Sequence, residues 1–176
     1  MKLYIMRDTA AGGGFSVLND IGNEKYIIPA DPNHALKFTI RSMEGNSLSV
    51  IKYNRMMFNY FTIRCKRMYA LVPFLLSGEC FSFAIYGSTC HFAGSLAQGD
   101  FSMTDSSGKL IMTQSRCIGI PKSRISKFND GWELKFIPED ICIYGENFEI
   151  FALSTAICAD MYITATPETK GMLLGY

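Results

Sequence analysis

Phenylalanine recurs along the chain with a fixed companion. Phe15-Ser16-Val17 precedes Gly22, Phe38-Thr39-Ile40 precedes Gly45, and Phe101-Ser102-Met103 precedes Gly108, so a glycine falls seven residues after each ring. The pattern predicts a strand carrying Phe and an aliphatic residue on one face, a turn that needs positive φ, and a returning strand. The returning strands are expected over Lys25 to Ile28, Leu48 to Tyr53 and Leu110 to Thr113. Copies one and three are offset by 86 residues, which a duplication or a chance recurrence explains equally well.

Alternation adds two half-buried strands: Leu36, Phe38 and Ile40 oppose Lys37, Thr39 and Arg41, and Trp132, Leu134 and Phe136 oppose Glu133 and Lys135. Asp130-Gly131 signals a tight turn, with Arg124 to Phe128 as the partner strand. A meander is expected over Tyr69 to Leu76, Phe81 to Tyr86 and Cys90 to Leu96. The opening Leu3-Tyr4-Ile5-Met6 is only four apolar residues long before Arg7 and Asp8, so it predicts a first strand rather than a signal peptide. Gly12-Gly13-Gly14 precedes a strand and lacks a GK[ST] ending, so it reads as a hairpin tip and not a phosphate loop.

The period changes after Gly145. From Asn147, a good N-cap, residues 148 to 163 place Phe148, Ile150, Phe151, Leu153, Ile157, Met161, Tyr162 and Ile163 around nearly the whole circumference of a helix. Spanning a bilayer takes about 20 apolar residues. This segment has sixteen, with Glu149 and Asp160 among them. A helix apolar on every side is buried on every side, and a closed sheet provides that enclosure while removing strand edges. The expected fold is therefore mostly β: a closed antiparallel β-barrel of about 12 strands around one central hydrophobic C-terminal helix. One domain is expected over residues 1–163, including helix 147–163, with a tail over 164–176. Glu149 and Asp160 project at about 100° and about 120° from Phe148. They form either an acidic stripe facing an opening, able to hold a cation or a basic group, or two rim carboxylates each touching water or one Arg or Lys.

At 176 residues the chain is long enough for one sizeable core. Its 48% hydrophobic content, thirteen Phe and nine Tyr exclude disorder. Seventeen Lys and Arg against sixteen Asp and Glu leave a net charge of +1, so any anion binding must be local, and nucleic acid is not an expected partner. The six cysteines at 65, 80, 90, 117, 142 and 158 contain no CxxC pair and read as buried thiols in a reducing cytosol, without metal or cofactor.

The candidate binding patch is Arg55 with Arg64, Lys66 and Arg67, flanked by Tyr53, Phe58, Tyr60 and Phe61. On a strand, Arg64 and Lys66 share one face and Phe61, Ile63 and Cys65 the other, so the two cations project together and can attract phosphate. Lys122, Arg124 and Lys127 read as loop charge. Catalysis finds little support. Cys90 and His91 are consecutive and face opposite ways on a strand, and no nucleophile elbow accompanies His34, the other histidine.

Serial hairpins with turn glycines that end in one all-apolar helix resemble the tubby C-terminal-like superfamily, nearest to the LURP-one-related group and its small bacterial members. The stretches that carry the likeness are Phe15 to Gly22, Leu36 to Gly45 and Phe148 to Ile163, within a layout running from Leu3 to Ile163. The resemblance implies a twelve-stranded barrel around a central helix, no established catalysis, and, as in tubby proteins, recognition of membrane phosphoinositides by basic residues. The scramblase cysteine-rich segment and an aspartate-rich calcium loop are not in this chain. The expected function is a cytoplasmic, non-catalytic binding or adaptor domain, peripheral to the membrane where its partner is anionic phospholipid, or else bound to a protein. The alternatives are a barrel carrying a small apolar ligand and a cysteine-dependent hydrolase using Cys90 or Cys117.

Overall fold

The computed structural model describes residues 1–8, 14–31, 33, 36–55, 59–66, 68–73, 76–77, 80–84, 90–95, 100–116, 131–136 and 146–164. The repeated Phe and Gly stretches fold as expected. Each is a hairpin: β2 (Gly14–Asn19) with β3 (Glu24–Ile28), β4 (Lys37–Ser42) with β5 (Ser47–Arg55), and β11 (Asp100–Thr104) with β12 (Leu110–Arg116). The three are built alike to the residue. Phe15 stands opposite Ile28, Phe38 opposite Ile51 and Phe101 opposite Gln114, the same offset of thirteen residues in each. A register shift follows between Val17 and Leu18, Ile40 and Arg41, and Met103 and Thr104.

The turns repeat as well. Gly22 N–H donates to Asn19 O at 3.0 Å, Gly45 N–H to Ser42 O at 2.9 Å and Gly108 N–H to Asp105 O at 3.0 Å. Those glycines have φ of 82°, 87° and 82°, the left-handed region in which a side chain is disfavoured.

The other strands are β1 (Lys2–Asp8), β6 (Asn59–Cys65), β7 (Met68–Pro73), β8 (Leu76–Ser77), β9 (Cys80–Ala84), β10 (His91–Ser95) and β13 (Gly131–Phe136). All pairings are antiparallel, in the order β7-β6-β5-β4-β3-β2-β1-β13-β12-β11-β10-β9-β8. Arg124 to Phe128, the expected partner of β13, lies outside the described residues, as does the 165–176 tail. Instead β13 pairs with β1 and β12, which joins the beginning of the chain to its later strands.

The helix α1 (Glu146–Thr164) begins one residue before the Asn147 cap that the sequence suggests. Every residue from Phe148 to Met161 is buried, so the expectation of a helix enclosed on all sides holds. Around it pack Leu3 and Ile5 of β1, Phe15 and Val17 of β2, Ile51 of β5, Phe61 and Ile63 of β6, and Phe92, Phe101 and Met112 from β10 to β12. No described helix is long and apolar enough to cross a membrane.

The closed barrel of about twelve strands is not what forms. Thirteen described strands make the order, β7 and β8 stand at its two ends, and no ladder among the described residues joins those ends. β7 comes near β9 without pairing to it. The terminal strands suit this ending, because β8 is two residues long and Pro73 at the end of β7 has no N–H to donate. Enclosing an all-apolar helix requires side chains on every flank, which a twisted and curled open sheet supplies without a continuous ladder.

Candidate anion-binding face

Alternation along β4 to β7 buries Phe38, Ile40, Ile51, Phe61, Ile63, Cys65, Ala70 and Val72 against the core. The intervening residues face outward, and the register sets them in rows. Lys37 lies directly opposite Lys52, and Lys52 opposite Thr62. The next row runs Thr39, Val50, Arg64, Tyr69. Lys52 and Arg64 are therefore diagonal neighbours on one face, about 7 to 8 Å apart at Cα in such a geometry. Thr62 Oγ1 donates to Lys52 O at 3.1 Å, and Asn54 Nδ2 donates to both Lys52 O and Thr62 Oγ1, at 3.0 and 3.1 Å. The polar side chains between the cations thus tie β5 to β6 on this face.

Arg64 is exposed, its guanidinium 5.9 Å from the Tyr69 ring centroid. Lys37 is half-buried and shares its charge with Asp31 at 3.6 Å. Arg41, exposed and four residues nearer the β4–β5 turn than Lys37, donates to Gly45 O at 3.3 Å. Lys52 is exposed. The face is a fixed grid of ammonium and guanidinium groups on stiff strands, chemistry that suits several phosphate or carboxylate oxygens at once.

The residues singled out in the sequence fall into this picture unevenly. Arg64 is on the face. Lys66 is not beside it on β6: the strand ends at Cys65, and Lys66 occupies the turn into β7 with φ 44°, exposed below Arg64. Arg67 lies outside the described residues. Arg55 ends β5 opposite Asn59, five positions beyond the partner of Arg64, or about 16 Å along the strand, so density in the sequence does not become proximity. Lys37 and Lys52 were missed, although the repeat holds the signal. If Phe38 pairs thirteen residues on, the residue before it pairs with Lys52.

The two helix carboxylates are engaged in place. Glu149 receives Lys25 Nζ at 2.7 Å and the Tyr26 hydroxyl at 2.7 Å, and Asp160 receives Arg7 Nη2 at 2.6 Å. Separated by eleven residues, or about 16 Å of helix, they fasten its two ends to β3 and β1. Of the two readings of this pair, the contacts among the described residues favour the second, since each carboxylate meets a cation, but both are buried, at 4% and 3% exposure, rather than on a wet rim. Among the described residues no group of three His, Cys, Asp or Glu is placed to hold a metal ion.

Cys65, Cys90 and Cys158 are buried, and burial pushes the Cys158 thiol far above its ordinary range. Cys90 is buried while His91 is exposed, so the two do not form a dyad. His34 and Cys117 lie outside the described residues, as do Lys122, Arg124 and Lys127.

Fold and face together define a class: a helix-filled antiparallel meander with a basic outer sheet face. No protein-family model, no curated protein and no solved structure matches the chain.

Proposed function

We propose that this protein is a non-catalytic binding domain that docks on anionic, phosphate-bearing membrane surfaces through the outer face of β4 to β6. The observation that carries the reading is Lys37 set directly opposite Lys52 with Arg64 on the adjoining diagonal. Like charges facing across a strand pair destabilise a sheet. A bound anion offsets that repulsion, which gives the arrangement a use it lacks as an ordinary wet surface. With each cation near an anionic surface contributing about 1 kcal/mol, Lys37, Lys52, Arg64 and Lys66 together supply at most about 4 kcal/mol, near a thousandfold in affinity. Asp31 reduces the share of Lys37.

Phosphoinositide recognition is the expectation from the tubby-like resemblance, and the buried cysteines Cys65, Cys90 and Cys158 fit a cytoplasmic location with peripheral membrane contact. The test is co-sedimentation with liposomes, with and without phosphoinositide, at two salt concentrations. Wild type is compared with Lys37→Glu/Lys52→Glu and Arg64→Glu/Lys66→Glu. Salt-sensitive binding lost in both folded variants supports the reading, and equal binding by all three proteins refutes it.

A further inference from the structure

Every strand pairing is antiparallel, so the ends of β2, β4, β6 and β11 and the starts of β3, β5, β7 and β12 lie at one end of the sheet. That end carries all the exposed large apolar side chains among the described residues: Ile21 at 62%, Met43 at 49%, Tyr69 at 48% and Leu110 at 36%. Ile21 and Met43 are in the β2–β3 and β4–β5 turns, and Tyr69 and Leu110 are one residue past the start of β7 and at the start of β12. A residue in a hairpin turn needs no apolar side chain to form it, since the turns are held by backbone hydrogen bonds and by glycine at positive φ.

Exposed cations lie at the same end: Arg41, Arg64, Lys66 and Lys109. Several of the acids there are turned to internal use. The Asp105 carboxylate accepts the N–H groups of Ser107 and Lys109 and the Ser107 hydroxyl, and Glu24 accepts from Ser16. Asp20 and Glu44 are also on this rim, both exposed.

We infer that this turn-bearing end is the part of the domain that enters the lipid interface, with Ile21 and Met43 penetrating below the headgroups while Arg41, Arg64 and Lys66 meet the phosphates. The inference rests on the anionic-membrane reading and deepens it by giving the docked orientation. Single apolar residues on separate, protruding turns do not make the continuous patch that a protein interface core needs. Spaced along one end and interleaved with cations, they match a planar boundary whose inside is apolar and whose rim is anionic. The cationic face of β4 to β6 runs down into this end through Arg41 and Arg64, while Lys37 and Lys52 stand farther up the strands, Lys37 about 13 Å from Arg41.

The experiment uses phosphatidylcholine vesicles containing phosphatidylserine. An Ile21→Trp variant is read for quenching by brominated acyl chains against the wild type, which has Trp132 as its single tryptophan. Ile21→Ser/Met43→Ser is measured for vesicle partitioning beside Lys52→Glu/Arg64→Glu. The expected results are quenching at position 21 and binding roughly tenfold weaker in the serine variant, with its salt dependence and melting curve unchanged. Undiminished binding by the serine variant without quenching overturns the inference, and if Lys52→Glu/Arg64→Glu still abolishes binding, the basic-face reading survives it. No vesicle binding by any protein sinks both. A dimer that the serine substitutions convert to monomer, with vesicle binding unaltered, makes this end a self-association face instead and also overturns the inference.

Discussion

Gln114 is 1% exposed, and among the described residues neither its Nε2 nor its Oε1 has a hydrogen-bond partner. In the two sister hairpins the same place, opposite the conserved Phe of the repeat, is taken by Ile28 and Ile51, both buried. We predict that Gln114→Ile stabilises the protein. A buried amide donor and acceptor without partners cost about 1 to 3 kcal/mol. Removing them relieves that cost, and the branched side chain adds apolar burial, partly offset by repacking against Phe101 and its stacked neighbour Phe92, whose ring centroids are 5.5 Å apart. A net gain of about 2 kcal/mol raises Tm by about 4 to 8 °C in a chain of this length. Urea denaturation followed by circular dichroism measures it, with an unchanged m-value as the check that the transition is the same. Gln114→Met, close to the shape of the native side chain, controls for branching. If both substitutions lower the unfolding free energy by about 1 kcal/mol or more, the amide is satisfied in solution and the argument from the repeat is wrong.

Other outcomes follow from the same geometry. A Cβ on Gly94 would run into Asp100 O and the Phe101 ring, so Gly94→Ala is expected to cost at least about 2 kcal/mol in a thermal melt, and a neutral result contradicts the close packing of β10 on β11. Arg7→Met takes the guanidinium from the buried Asp160 carboxylate and should destabilise by about 2 to 3 kcal/mol, below the value for a fully buried pair because Arg7 is partly exposed. Cys158 should resist a thiol reagent in native protein and react once urea unfolds it; prompt native reaction would place it outside the core. The Asp105 carboxyl is held below its ordinary range, chiefly by the Ser107 hydroxyl. Its support of the turn is therefore present above the unfolded carboxylate range and lost as pH falls through the lowered folded value. A carbon-13 titration of its carboxyl by NMR should show the depressed midpoint, and Ser107→Ala should move it upward.

What the sequence exposes and what it conceals divide along the range of the interaction. The Phe-to-Gly hairpins and the buried helix are local periodicities, and both are written in stretches of under twenty residues. Closure of the sheet is expected from the all-apolar helix, from the many strand edges it would remove and from the tubby-like resemblance, but whether two edges pair depends on the strands that end there, a two-residue β8 and a β7 ending in Pro73. The basic site shows the same divide. Arg64 and Lys66 are neighbours in sequence, yet a left-handed residue after Cys65 takes Lys66 out of the strand. Lys37 and Lys52 come together only through the register of a hairpin with a bulge. Glu149 and Asp160 were visible as charges in an apolar helix, while their partners Lys25 and Arg7 are more than a hundred positions away in the chain.

The element that fills the core is also the last described one to be synthesised. Thirteen strands leave the ribosome before Glu146–Thr164 does, and until then the inward faces of β1 to β12 have no helix to cover. Among the described residues the two halves of the meander are joined in one ladder through β1 and β13, more than a hundred residues apart, a pairing that forms late even where the hairpins form early. During translation the chain presents unpaired edges and a wide apolar surface, conditions that favour holding by a chaperone. Truncation within the helix should accordingly leave an aggregating chain rather than a smaller folded domain, which ties the survival of the whole sheet to the nineteen residues of Glu146–Thr164.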